Sequence, residues 1–219
     1  MSKAIICTVE ELKEHLKNTV SERRYIHSLG VAQTTERLLK NYRQEGNPSR
    51  WGNFSASEFC GLAHDLAREF SDASILEYCE KNNLTLTKDE LTSPVLAHGL
   101  VASDQVKKLC GNYPASWEKA IVVHTTGASN MDALALAVFI ADFIEPSRRF
   151  MTEQRRAYYL SAPTIESCAY WILCDMIRHW TEDGTLKFEL SEATKAMKRE
   201  LEAKGCEQGY IPWTTDWRK

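Results

Sequence analysis

LALAVFIADFIEP, residues 134–146, decides the fold. The apolar run from Ala133 to Ile144 is 12 residues long, the length of a core helix. It falls short of the roughly 18–20 residues that cross a bilayer. Within it Ala135, Val138, Phe139 and Asp142 share one helical stripe. An isolated carboxylate among such neighbours is strongly disfavoured. Asp142 therefore needs a partner, either an arginine or a metal ion, and the metal is the better reading because His27 and His64 need a further ligand beside them. Outward from this stretch the period stays helical nearly everywhere. Thr8-Val-Glu-Glu11, Ser55-Ala-Ser-Glu58 and Thr87-Lys-Asp-Glu90 read as capping boxes, and Ser93-Pro94 as an N-cap followed by proline. The expected helices cover 8–18, 21–45, 55–69, 71–82, 93–110, 114–126, 131–147, 153–160, 163–182 and 191–204. Breaks are expected at Gly46-Asn47-Pro48, Gly111-Asn112 and Asp183-Gly184, and strand signals are almost absent. The reading is one all-α domain through residue 204, with residues 205–219 as a C-terminal extension carrying two tryptophans.

Composition narrows the class. The 219 residues are long enough to bury a core, and 43% are hydrophobic, as in an ordinary soluble protein. The N-terminus shows no long apolar segment or cleavage site, so the expectation is a cytoplasmic protein without membrane attachment. Seven cysteines, an odd number with no CxxC pair, read as reduced core residues. A net charge of -3 argues against a nucleic-acid polymer as partner. Two local basic doublets, Arg23-Arg24 and Arg148-Arg149, suit a phosphorylated small molecule or simply solvated helix ends.

The histidines carry the chemistry. His27 shares an inward face with Val31, Thr34 and Leu38; taken alone, such a histidine is more often a core residue satisfied by one hydrogen bond. His64-Asp65 is stronger. It sits among Phe59, Leu62, Ala63 and Leu66, where a buried carboxylate costs several kcal/mol without compensation. A divalent cation compensates it, and imidazole with carboxylate suits iron, manganese or zinc. His98 precedes Gly99, and His124-Thr125-Thr126-Gly127 offers hydroxyl and amide donors for phosphate oxygens, or a plain helix cap. His15 and His179 have no such company and read as structural.

The order HSLGVA (27–32), AHD (63–65), AHG (97–99), HTTG (124–127) and ADFIEPSRRF (141–150) resembles the HD-domain phosphohydrolases. More narrowly, it resembles their YqeK family, the symmetrical bis(5'-nucleosyl)-tetraphosphatases; HTTG followed by ADxIEPxRxF is the specific part. The resemblance covers about Arg24 to Phe150. It implies an all-α HD-domain helical bundle. It implies a divalent metal, iron above manganese or zinc, held by His27, His64, Asp65 and Asp142. It further implies that Arg24, Asp65, His98, His124, Thr125 and Arg148 line a nucleotide diphosphate, with Glu145 and Pro146 shaping the turn that aims Arg148. The expected reaction is cleavage of diadenosine tetraphosphate to two ADP by metal-hydroxide attack on phosphorus. Asp65 would orient the water, and His98 or His124 would act as general acid. Alternatives are another HD nucleotidase, a nucleotide-binding sensor without turnover, and a second metal at His98 and His124. The tail leaves room for a homodimer. Two features depart from the family: Arg68 stands where a lysine is usual, and Lys187-Phe188-Glu189-Leu190 replaces the family's C-terminal ending.

Overall fold

The structure is a computed structural model that describes residues 8–44, 49–180, 189–207 and 209. It is all-α among the described residues, apart from one two-stranded hairpin. The centre is the helix α8 (Ala133–Ile144), started by the Asp132 side chain, which accepts from the Ala135 N–H. Its residues Leu134 through Ala141, Phe143 and Ile144 are all buried, as a helix apolar on every face requires. It packs against α2 (Glu22–Asn41), α7 (Ala115–Val122) and α10 (Ile165–Trp180). In turn α2 lies along α3 (Ala56–Ala63), and α7 lies along α6 (His98–Cys110). On α2 the positions His27, Val31, Thr34 and Leu38 are all buried, which is the inward face that the sequence shows.

Several boundaries differ from expectation, and the differences fall at the site. The helix α3 stops at Ala63 instead of running to 69. Beyond it the chain tightens into i→i+3 turns, Leu66 N–H to Ala63 O, Arg68 N–H to Asp65 O and Phe70 N–H to Ala67 O. His64 and Asp65 thus stand at a helix C-terminus rather than within a helix. The expected helix 93–110 is also divided. Thr87 closes its capping box on the short helix α5 (Lys88–Thr92); Pro94–Ala97 is a 3-10 turn; α6 then begins at His98 itself. Ser93 makes no side-chain cap there, because the tighter turn that follows does not present the amide of an α-helical first turn. Likewise α7 ends at Val122, leaving His124 in a turn. A hairpin at Arg50–Trp51 and Phe54–Ser55 was not expected; Gly52 turns it at φ +57.

The two outer helices fit expectation closely: α9 (Glu153–Leu160) and α11 (Glu192–Ala203). The first helix, α1 (Val9–Thr19), closes the capping box from Thr8, and α4 (Asp72–Lys81) starts at Ser71. Six cysteines are buried and free of disulfides, as reduced core residues are. Past α11, Cys206 is buried and the Trp171 indole N–H donates to the Glu207 carbonyl at 2.8 Å, so the start of the extension lies on α10. No helix among the described residues is long and apolar enough to cross a membrane. The breaks at Gly46-Asn47-Pro48 and Asp183-Gly184, and the tryptophans Trp213 and Trp217, lie outside the described residues.

Candidate metal centre

Four histidines reach the centre from different elements, and each ring is fixed through its Nδ1–H, three of them by a backbone carbonyl. His64 Nδ1–H donates to Gly61 O at 2.8 Å, His98 Nδ1–H to Val95 O at 2.6 Å and His124 Nδ1–H to Ile121 O at 2.7 Å. In all three the acceptor is the carbonyl three residues earlier. For His64 and His124 this is a carbonyl of the last helical turn, which the ring at the helix end satisfies; the Val95 carbonyl also accepts from the His98 backbone N–H. His27 is held by a side chain instead: its Nδ1–H donates to Glu145 Oε1 at 2.9 Å. With Nδ1–H engaged on every ring, all four Nε2 atoms face inward, where each can give a lone pair to a cation or, when protonated, a hydrogen bond to a carboxylate.

They face Asp65. Its Oδ2 lies 3.4 Å from both His27 Nε2 and His64 Nε2. Its Oδ1 lies 3.1 Å from His98 Nε2 and 3.5 Å from His124 Nε2. Asp142 Oδ1 lies 2.9 Å from His27 Nε2 and 3.8 Å from His64 Nε2. His27, His64, Asp65 and Asp142 therefore bring one ligand atom each to within 4.8 Å of one another, and Asp65, His98 and His124 make a second such group. Nitrogen and carboxylate donors in this number fit a divalent cation of the iron, manganese or zinc class. Thr125 Oγ1 is 3.0 Å from His124 Nε2 and 3.3 Å from His98 Nε2.

The charges are mutually arranged. Burial alone would raise the Asp65 carboxyl, but the charge of His64 and hydrogen bonds from His124, His27 and His64 hold it well below the usual carboxylate range. Asp142 behaves alike: burial would raise it, yet Arg148 and the contacts from His27 and His64 keep it ionised. Its side chain is 24% exposed, so it stands at the rim rather than in the depth of the core. It also pairs with Arg148, whose Nε–H donates to the Asp142 carbonyl at 2.7 Å. The arginine partner and the histidine neighbours thus occur together at Asp142. Burial would lower His27, but hydrogen bonds to Asp142, Asp65 and Glu145 raise it to about 10. His124 is lowered, first by burial and then by His64 and His98 beside it.

Small residues let the elements approach. A Cβ on Gly99 would stand 2.7 Å from Ile121 O and 2.8 Å from Val122 O. That close packing of α6 on α7 brings His98 Nε2 to 3.0 Å from His124 Nε2. Gly127, expected to admit a phosphate, serves the fold: its φ is +66 and a Cβ would meet Met197 Sδ at 2.1 Å.

Glu145 was assigned to the turn, and nothing local in sequence ties it to His27, which is 118 residues away. It is buried, accepts from Ser147 N–H at 2.6 Å and from Ser147 Oγ–H at 2.5 Å, and so fixes the His27 ring and the turn together. Glu145→Ala is expected to weaken metal affinity by about 10–100-fold, as loss of such supporting partners does. Glu145→Gln, which keeps an acceptor, should recover most of it. Chelator competition reads both, and unchanged affinity in the alanine variant would remove the supporting role.

A pocket of about 610 Å³ opens beside His27 and includes Arg24 and Arg148 in its lining, together with Arg23, Arg149, Ile26 and Phe150. His98, His124 and Thr125 do not line it; they lie toward the other oxygen of Asp65. Arg68 is exposed and does not line it either.

Comparison with known proteins places this geometry. A Staphylococcus aureus protein described as bis(5'-nucleosyl)-tetraphosphatase, symmetrical, is 30% identical over 140 residues, covering 64% of this chain and 68% of its own length. The chain belongs to the symmetrical bis(5'-nucleosyl)-tetraphosphatase family. Members so described from Halalkalibacterium halodurans and Bacillus subtilis are 29% and 26% identical, over 62% and 64% of this chain and 67% and 71% of their own. The crystal structure of a predicted HD superfamily hydrolase involved in NAD metabolism, from Clostridium acetobutylicum, superposes with a TM-score of 0.76. It is 26% identical and covers 90% of this chain and 98% of its own. No family model matches the chain. As a symmetrical bis(5'-nucleosyl)-tetraphosphatase family member with this fold, the protein is a metal-dependent hydrolase of the HD superfamily.

Proposed function

We propose that the protein cleaves diadenosine tetraphosphate symmetrically to two ADP, using a divalent metal held by His27, His64, Asp65 and Asp142. Iron is the expected metal. The observation that carries the reading is the common orientation of the four imidazoles, each with Nδ1–H donated away and Nε2 turned to Asp65. The substrate comes from the relatives' described activity. A divalent cation in this setting lowers the pKa of a water and polarises a phosphoryl oxygen.

The chain's own groups supply the rest. Arg24, against Asp65, and Arg148, against Asp142, are fixed before substrate arrives, so their charge meets the equatorial phosphoryl oxygens without reorganisation. The Thr125 hydroxyl is a further donor for a phosphate oxygen. Asp65, ionised, orients the attacking water, and an imidazole returns a proton to the leaving diphosphate. His98 and His124, on the Oδ1 side of Asp65, are the imidazoles for that role.

A second reading has its own observation. Asp65 offers Oδ2 to one histidine pair and Oδ1 to the other, so Asp65, His98 and His124 could hold a second divalent cation beside the first. In that case His98 and His124 are ligands, consistent with a neutral His124.

The test is product analysis with diadenosine tetraphosphate after loading with iron, manganese or zinc, alongside metal stoichiometry. ADP as the sole nucleotide product, abolished by chelation and restored by metal, is the expected result. ATP with AMP would overturn symmetrical cleavage; tight nucleotide binding without product would favour a sensor. One or two metal ions per chain chooses between the two site readings.

A further inference from the structure

Two basic doublets separated by most of the chain meet in one place. Arg23-Arg24 begins α2 and Arg148-Arg149 follows α8, yet all four line the pocket beside His27. Their engagement differs. The inner members are committed, Arg24 to Asp65 and Arg148 to Asp142. The outer members, Arg23 and Arg149, are exposed and make no ion pair among the described residues. Four guanidinium groups here meet four carboxylates, but Asp65 and Asp142 are taken by the inner pair and Glu145 by His27 and Ser147, so Glu22 alone is left to offset the two outer guanidinium groups. The mouth is therefore cationic in a chain whose net charge is -3. Apolar surface stands in the same wall: Ile26 is 49% exposed on α2, and Phe150 is half-buried beside Arg149. A large exposed aliphatic residue next to an aromatic ring and two unpaired cations is unusual for a solvated helix end, and it suits a nucleoside polyphosphate.

We propose that Arg23 and Arg149 form an outer anion subsite. It takes the phosphates of a dinucleoside polyphosphate that lie beyond those held at Arg24 and Arg148, while Ile26 and Phe150 face the second nucleoside. The proposal rests on the function proposed above and adds what decides the position of the cut. A symmetrical cut needs both halves of the substrate held, with the middle bridge at the metal centre. The inner arginines can hold only one half. An outer pair beyond the inner one makes chain length part of recognition: a polyphosphate too short to engage both pairs would lose the outer contacts. The pocket volume of about 610 Å³ lies within the usual range of ligand sites.

The test compares the metal-loaded wild type with Arg23→Ala, Arg149→Ala and the double variant. Charge-assisted contacts at exposed arginines are weakened by solvent, so the expected loss is about tenfold to 30-fold in the double variant. That loss should appear in KM for diadenosine tetraphosphate rather than in kcat. The inhibition constant of ADP, which needs only the inner pair, should move by less than about threefold on the same grounds. An unchanged KM overturns the proposal. So does a parallel rise in the ADP constant, because the arginines would then belong to the inner site. A wild type that does not cut the tetraphosphate would defeat the functional reading instead. The subsite is then judged by calorimetry with inorganic tripolyphosphate: about tenfold weaker binding to the double variant retains it, and equal binding removes it.

Discussion

Asp65→Asn is expected to leave the protein with less than about a tenth of its metal and to lower kcat/KM by about 1000-fold or more, as removal of a group central to catalysis does. The substitution is nearly isosteric, so packing is not the cause. Asp65 is buried, and its two oxygens are shared among His27, His64, His98 and His124, with Arg24 alongside. Among the described residues Asp65 is the carboxylate that reaches both histidine pairs. An amide offers one neutral oxygen and a pair of N–H donors, and those donors would point at imidazole nitrogens that need a proton or a cation themselves. If one metal binds, it would lose the more deeply buried of its two carboxylates; if two bind, each would lose Asp65. The second case predicts that stoichiometry falls from two to near zero in a single step, whereas His98→Ala would take it only from two to one. Elemental analysis and steady-state rates read the result, with circular dichroism confirming that the helices remain. An Asn variant that retains full metal and activity would remove Asp65 from the centre.

Much of this arrangement is visible in the sequence, but only one kind of information is. Helix identity follows from periodicity and caps: Thr8, Ser55 and Thr87 all accept the hydrogen bonds that start their helices. Asp142 is legible because an acid in an apolar stripe is costly wherever the helix packs. Helix ends are less legible. Nothing in GLAHDLARE announces that α3 stops at Ala63, since its residues continue a helical pattern. The stop becomes intelligible from the other side: the freed Gly61 carbonyl is what the His64 ring uses. The same applies to His124, which follows Ile121-Val122-Val123 and bonds back to Ile121. Long-range pairs carry no local signal at all. Glu145 with His27, and the two basic doublets meeting at one mouth, depend on how α2 lies against α8. The small residues that set those distances are equally silent, because a glycine in a helix looks like a weak position until its neighbour is known.

Gly61 is the sharpest instance, and Gly61→Ala is expected to cost about 3 kcal/mol, lowering Tm by roughly 6–12 °C. A Cβ at Gly61 would lie 2.3 Å from Ala32 Cα, 2.5 Å from Ala32 N and 2.8 Å from Ala32 Cβ. Carbon atoms in ordinary contact are about 3.5–4.0 Å apart. Two of the three obstacles are backbone, so no rotamer change relieves them; α2 and α3 must separate by about an ångström on the same contact distances. Those helices carry His27 and, at the end of α3, His64, whose Nε2 atoms are 3.3 Å apart. Separation therefore widens the ligand set as well as loosening the core, and metal affinity should fall by about tenfold or more, as it does when supporting geometry is lost. Gly52→Ala is the control. Its φ of +57 imposes about 1 kcal/mol of backbone strain, but nothing lies within 4 Å of the added carbon and no site element is moved. Metal binding there should be unchanged. If Gly61→Ala melts early yet binds metal as the wild type does, the helix contact is structural only. If it neither melts early nor loses affinity, the close approach of α2 to α3 is wrong, and with it the account of how His27 and His64 are brought together.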